Sequence, residues 1–199
     1  MSARAAAPTV SLPLFPLNTV LFPGGPLPLR IFETRYTDMV RRCMREAAPF
    51  GVLLIRSGME AGGVQTTADI GTSARIVDFY QLPDGLLGIT CVGERRFRLV
   101  SRSRQSDGLN VGEVGWLAGS GDVRLPPQLE HLGAMLRKLL PELSELYRNV
   151  PLDFEDAGWV SSRLAEVLPL ELADKQRLLE MDDPLERLAC VAPLVQKTT

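Results

Sequence analysis

The 199-residue chain is 45% hydrophobic and 23% charged, with a formal net charge of −2. That is the composition of a globular protein able to build a core, and the near-neutral balance gives no overall attraction to nucleic acid or to an anionic membrane. No apolar run approaches the roughly 20 residues that span a bilayer, and the three cysteines, Cys43, Cys91 and Cys190, are odd in number and far apart, which fits free thiols in a reducing, cytoplasmic setting better than a disulfide framework.

The small-residue opening lacks the apolar stretch of a secretory signal, so residues 1–10 read as a flexible tail. "LPLFPLNTVLFPGGPLPLRIF" follows, with apolar residues flanking every proline. That pattern favours a buried wall over an exposed polyproline ligand. Pro13 and Pro16 donate no ladder hydrogen bonds, so a strand here belongs at an edge or ends early. Phe22-Pro23-Gly24-Gly25 has the proline and glycine placement of a type II turn. Leu27, Leu29 and Ile31 then alternate as a short strand. Tyr36, Met39, Val40, Cys43, Met44 and Ala47 repeat at helical spacing, and Pro49 is the expected stop.

"FGVLLI" reads as a buried strand, and "TSARIVDFYQL" and "LLGITCVG" flank Pro83-Asp84-Gly85 as a hairpin with glycine in the left-handed position. "RRFRLVSRSR" alternates Phe97 and Leu99 with Arg96, Arg98, Arg102 and Arg104. This row of arginines is either a solvated outer face or a track for a phosphate backbone. Few aromatic residues stand near it, which favours the solvated face. "GEVGWL" closes the β set, and short strands at these spacings with one early helix suggest a small closed or partly closed barrel. The linker candidate is 118–127. Beyond it, leucines at 129, 132, 136, 139 and 143, interrupted by Pro141, and a second stripe at Val160, Leu164, Val167 and Leu168 are helical. Asp183-Pro184-Leu185-Glu186 is a strong helix start.

Chemistry is thin. His131 is the single histidine, and there is no CxxC, GxSxG or P-loop motif. No metal site, cofactor site or nucleophile–base pair is therefore expected, and the chain reads as a non-enzyme. Acid pairs such as Glu155/Asp156 and Asp182/Asp183 read as helix caps.

"LPLFPLNTVLFPGGPLPLRIFETRY", "GTSARIVDFYQLPDGLLGITCVGERRFRLV", "GEVGWL" and "LAEVLPLELADKQRLLEMDDPLERL" together resemble the substrate-recognition N-terminal domain of the Lon ATP-dependent protease, in a stand-alone form, over roughly residues 11 to 196. "IFETRY" is closer to stand-alone and cereblon-like versions than to the protease itself. The resemblance implies an α+β fold, a PUA-like β-barrel (11–118) with one early helix followed by a helical bundle (119–199). It implies recognition of polypeptide segments or of a partner protein, without the ATPase and peptidase of the full protease. RNA binding through the barrel and docking onto a protease are the alternatives; nucleic acid is otherwise disfavoured, no membrane contact is expected, and the oligomeric state is open, a weak dimer being compatible. An edge strand or the cleft between the two halves would hold the segment. Glu33, Arg35, Tyr36, Phe79 and Tyr80 are the candidate contacts. Each has a plain alternative: Glu33 favouring a helix N-terminus, Arg35 pairing locally, the aromatics in the core.

Overall fold

The computed structural model describes residues 9–58 and 66–195; the expected tail at 1–10 lies, apart from its last two residues, outside them. Strand β1 (Val10–Leu17) is followed by β2 (Pro26–Ile31), helix α1 (Thr34–Glu46), and strands β3 (Phe50–Ser57), β4 (Thr66–Thr67), β5 (Ile70–Gln81), β6 (Leu87–Arg104) and β7 (Asn110–Trp116). The remainder is helical: α2 (Glu130–Leu139), α3 (Ser144–Tyr147), α4 (Ala157–Val167), α5 (Leu172–Glu180) and α6 (Pro184–Val195), with 3₁₀ turns before and after α2. The fold is mixed α+β, a sheet whose pairings are antiparallel except for β1 with β3.

The prolines of β1 are accommodated by a division of partners. Val10–Leu14 pairs with β7 and Leu14–Leu17 with β3 on the opposite side, so Pro13 and Pro16 each have one strand neighbour. The strand is thus an edge twice over, on alternate sides. The turn after it is type II in form: the Gly25 amide donates to the Phe22 carbonyl at 2.9 Å and Gly24 sits at φ +70°. The 83–85 hairpin also has its glycine left-handed, with Gly85 at φ +82°. Helix α1 buries Tyr36, Met39, Val40 and Cys43, but Met44 and Ala47 face solvent. It ends two residues earlier than Pro49 requires, because Ala47 itself takes a left-handed cap at φ 49°.

Strand β6 organises the sheet. Its first third lies between β2 and β5, it pairs with β5 as far as Arg98, and from Phe97 onward it pairs with β7, with register shifts near Ser73, Val77 and Val100. Where it passes from one setting to the other, both of its faces are covered. Phe97 enters the core beneath, and Arg96 is 5% exposed on the other side. Arg96 donates to the carbonyls of Leu179 and Met181, both at 2.9 Å, and pairs with Asp182 at 2.7 Å. The arginine row expected on one solvated face is therefore broken. Arg98 and Arg104 stay outside, Arg102 contacts the Thr67 hydroxyl, and Arg96 locks the sheet to the helices.

The largest apolar cluster crosses the expected boundary at 118/119, joining Val20, Phe22, Leu54, Ala68 and Ile70 to Leu132, Leu136, Val160, Leu164 and Leu188. A second cluster fills the space between α1 and the sheet. Asp156 caps α4 by accepting from the Trp159 amide at 2.6 Å, and Asp183 opens α6 by accepting from the Leu185 amide at 2.8 Å.

Candidate functional site

Glu33, Arg35 and Tyr36 come together where β2 enters α1. Glu33 is the N-cap residue of α1, yet its carboxylate turns to Arg35 at 2.7 Å instead of capping the helix. Arg35 donates to the Gly108 carbonyl at 3.0 Å, and its guanidinium lies 4.7 Å from the Tyr36 ring centroid. Tyr36 is 3% exposed and stacks on Phe15 at 3.9 Å, nearly coplanar at 16°. The three residues thus tie α1 to β1 and to the loop before β7, with Tyr36 in the core.

Phe79 and Tyr80 lie at the far end of β5, on opposite faces, as strand alternation requires. Tyr80, Gly88 and Arg30 are in register across β5, β6 and β2. The Tyr80 ring occupies the space a side chain at Gly88 would fill, with ring carbon Cε2 2.3 Å from that Cβ position. Phe79 pairs with Ile89, which pairs in turn with Leu29 on β2, on the other face. There Ile89 is buried while Phe79 remains 60% exposed.

Two grooves adjoin β2 and share Pro28, Leu29 and Arg30 in their linings. The first, about 480 Å³, is lined by Phe15, Leu17, Leu29, Phe32, Glu33 and Tyr36. The second, about 470 Å³, is lined by Pro28, Arg30, Tyr80, Leu82, Pro83 and Asp84, with Arg30 and Asp84 paired across it. Four of the five candidate residues border or line these grooves or, like Arg35, brace them from behind; Phe79 stands outside both linings. Phe32, 61% exposed, was missed. The signal was available: with Leu27, Leu29 and Ile31 facing inward at period two, the next residue of that run must face out.

The edge of β2 offers little to an incoming strand. It pairs only with β6, and Pro26 and Pro28 have no N–H to donate. Among the described residues, a free edge with amides is β5 beyond Ala74, which pairs there with β6 alone, although the Phe79 amide is already taken by the Asp78 carboxylate at 2.8 Å. The cleft between the sheet and the helices mixes apolar residues, Pro23, Leu117, Ala118 and Trp159, with the charged and polar Arg95, Arg96, Ser120, Asp156 and Arg187. Among the described residues no three histidine, cysteine or carboxylate side chains converge as a metal site, and no helix is long and apolar enough to cross a membrane.

The model of the ATP-dependent protease La (LON) substrate-binding domain matches residues 11–197. The chain belongs to this family. A Lon N-terminal domain protein from Xanthomonas campestris, known from its crystal structure, is 40% identical, covers 92% of this chain and 98% of its own, and superposes with a TM-score of 0.76. The N-terminal domain of the Mycobacterium avium complex Lon protease shares the fold, at a TM-score of 0.62 and 20% identity over 92% of this chain and 96% of that one. Lon protease of Cytophaga hutchinsonii is 27% identical over 94% of the chain, and Lon protease 2 of Myxococcus xanthus 28% over 94%. These matches occupy 24% and 23% of the two proteases, so this LON substrate-binding domain spans about a quarter of the curated relatives it resembles.

Proposed function

We propose that this LON-family chain is a non-catalytic recognition module that binds exposed or unfolded segments of other polypeptides, with apolar side chains entering the grooves beside β2. One observation carries the reading: Phe32 and Tyr80 stand exposed at two neighbouring grooves beside the same strand, with Phe79 exposed nearby. Large aromatic residues in the open are costly to leave hydrated and are the residue type that anchors partner contacts. Glu33 and Arg35 act by holding the groove wall, Tyr36 by forming its floor, and Phe79 and Tyr80 by direct contact. An extended segment would run along the free part of β5 rather than along proline-bearing β2.

We read the strand pairings, which pass from β1 through β7, β6, β5 and β3 back to β1, as a PUA-like barrel, and residues 119–199 as a helical bundle sharing its core. The free thiols at 43, 91 and 190 support a reducing, cytoplasmic setting. The RNA reading loses its main support with Arg96 turned into the protein.

The test is anisotropy of a labelled protein substrate, compared in folded and permanently unfolded forms at two salt concentrations. Saturable binding to the unfolded form alone, little changed by salt, is the expected result. Binding to neither form would overturn general recognition and leave a single dedicated partner, such as a protease. Binding that collapses with salt would favour nucleic acid or a charged ligand.

A further inference from the structure

The cleft between β6 and the helices α4 and α6 stands apart from the grooves beside β2, and its charges do not balance. Arg187 is 3% exposed. Its hydrogen bonds all go to neutral acceptors: Nε to the Leu178 carbonyl at 2.9 Å, Nη1 to the Ser161 and Ser162 hydroxyls at 3.1 and 3.4 Å, and Nη2 to the Met181 carbonyl at 2.7 Å. Among the described residues no carboxylate lies within ion-pair distance of it; Asp182 and Asp183 act on it only from farther away. Asp182 is engaged by Arg96, the second buried guanidinium, and is itself largely in solvent. Burial, then the repulsion of Arg96, pulls the Arg187 pKa down to about 10.

The acids lining the cavity are occupied elsewhere. Glu94 pairs with Arg75 at 2.7 Å, and the two Asp156 oxygens accept from the amides of Trp159 and Val123 at 2.6 and 3.2 Å. Arg95 adds a third cation at the rim, 4.7 Å over the Trp116 ring. The enclosed space is about 300 Å³, at the small end of ligand pockets and too small for a folded partner. A buried guanidinium without a counter-charge is expensive, and an anion in the cavity relieves it.

We propose that this cleft binds an oxyanion group, a phosphate or carboxylate carried by a small molecule, with Arg187, Arg96 and Arg95 as its counter-charges and the Ser120 hydroxyl as a further donor. Arg96 and Arg187 spend most of their donors on protein acceptors, including the Ala118 carbonyl for Arg96, and act on the anion through their charge; Arg95 at the rim supplies a guanidinium fork, which matches the paired oxygens of both groups. The site owes nothing to the polypeptide-binding reading, and it gives the module a place where a small anion would brace the sheet against the helices.

The chain contains two tryptophans. Trp159 lines the cavity and Trp116 lies under Arg95, so intrinsic emission reports on it. The full chain is titrated with sodium phosphate and separately with sodium acetate, sodium chloride holding the ionic strength constant. The expected result is a saturable emission change with either salt, and a melting temperature raised by about 3 °C at tenfold excess over the dissociation constant. Which salt acts identifies the headgroup. Arg95→Gln, at the exposed rim, should weaken the response about tenfold while its melting temperature in chloride stays at the wild-type value. Phe32→Ser should respond as wild type, which separates this site from the grooves. An absent response to both salts, or one that Arg95→Gln leaves unchanged, overturns the proposal.

Discussion

The side chain of Arg163, wholly buried on α4, donates to the carbonyl oxygens of Gly24 and Pro23, 139 and 140 residues earlier in the chain. The type II turn after β1 is thereby bolted to the helical half. Glu166 completes the arrangement, pairing with Arg163 Nε at 3.0 Å and accepting from the Tyr147 hydroxyl at 2.9 Å.

Replacing Arg163 by methionine strands Glu166 and two buried carbonyls. The expected loss is about 3–5 kcal/mol, the usual cost of removing one partner from a buried pair, read from denaturant unfolding. Burial already pushes the Glu166 carboxyl up, with Arg163 as the main opposing influence. In the variant that carboxyl rises further. An acid whose folded pKa is raised loses stability as pH climbs past its unfolded value. The deficit of Arg163→Met should therefore be larger at pH 8 than near pH 4; a pH-independent deficit would contradict this assignment.

Two glycines should behave oppositely. A Cβ at Gly93 would lie 2.3 Å from the Phe22 carbonyl oxygen, a backbone atom that cannot step aside. Gly93→Ala should cost about 1–3 kcal/mol. A Cβ at Gly115 meets nothing within 4 Å, so Gly115→Ala should be neutral or slightly stabilising, by up to about 1 kcal/mol. Thermal melts of the two variants side by side make the comparison.

Cys43 and Cys91 are buried and Cys190 is exposed. Burial, with the neighbouring Cys43 adding to it, pushes the Cys91 thiol up to about 12, and burial raises Cys43 as well. A native thiol assay at pH 8 should label Cys190 alone, and all three cysteines after unfolding. Because unfolded thiols ionise first, stability should fall as pH rises above about 8.5, by up to about 1.4 kcal/mol per pH unit for each buried thiol. Stability that is flat from pH 8 to 10 would refute it.

The recognition surface separates into contact and support. Phe32→Ser and Phe79→Ser should each weaken binding of an unfolded polypeptide about tenfold or more, as loss of an aromatic anchor does, and leave the melting temperature nearly unchanged. Tyr36→Ala should instead destabilise the fold by about 3–5 kcal/mol, since it empties a stacked core position against Phe15. Equal binding by wild type and both serine variants would remove the grooves from the function.

Local chemistry explains what could be read from the sequence. The turn at 22–25, the hairpin at 83–85 and the start of α6 at Pro184 are dictated by proline, glycine and aspartate within four residues of one another, and each is found where that chemistry places it. Arg96, Arg163 and Gln176 are different. Their partners are backbone carbonyls 83 to 140 positions away, and no local pattern marks an arginine that will be buried. The same limit applies at the candidate site. Alternation along β2 and helical spacing along α1 tell which face a residue occupies, but whether another element would cover an aromatic residue was set by packing at long range. Tyr36 is accordingly covered and Phe79 open. Helix α5 went unread as a helix because its apolar residues are few, Leu178 and Leu179 being buried beside the polar Gln176.

The divided pairing of β1 also bears on synthesis. Val10 pairs with Val114 and Leu14 with both Asn110 and Gly51. At about 5–20 residues per second, a ribosome takes roughly 5–20 s to deliver the second partner after the first strand has emerged. During that interval a greasy nascent strand waits with its ladder half satisfied. Pro13 and Pro16 interrupt it where a neighbouring nascent chain would otherwise zip on. The same two residues that force β1 to split its partners protect it until the later one arrives.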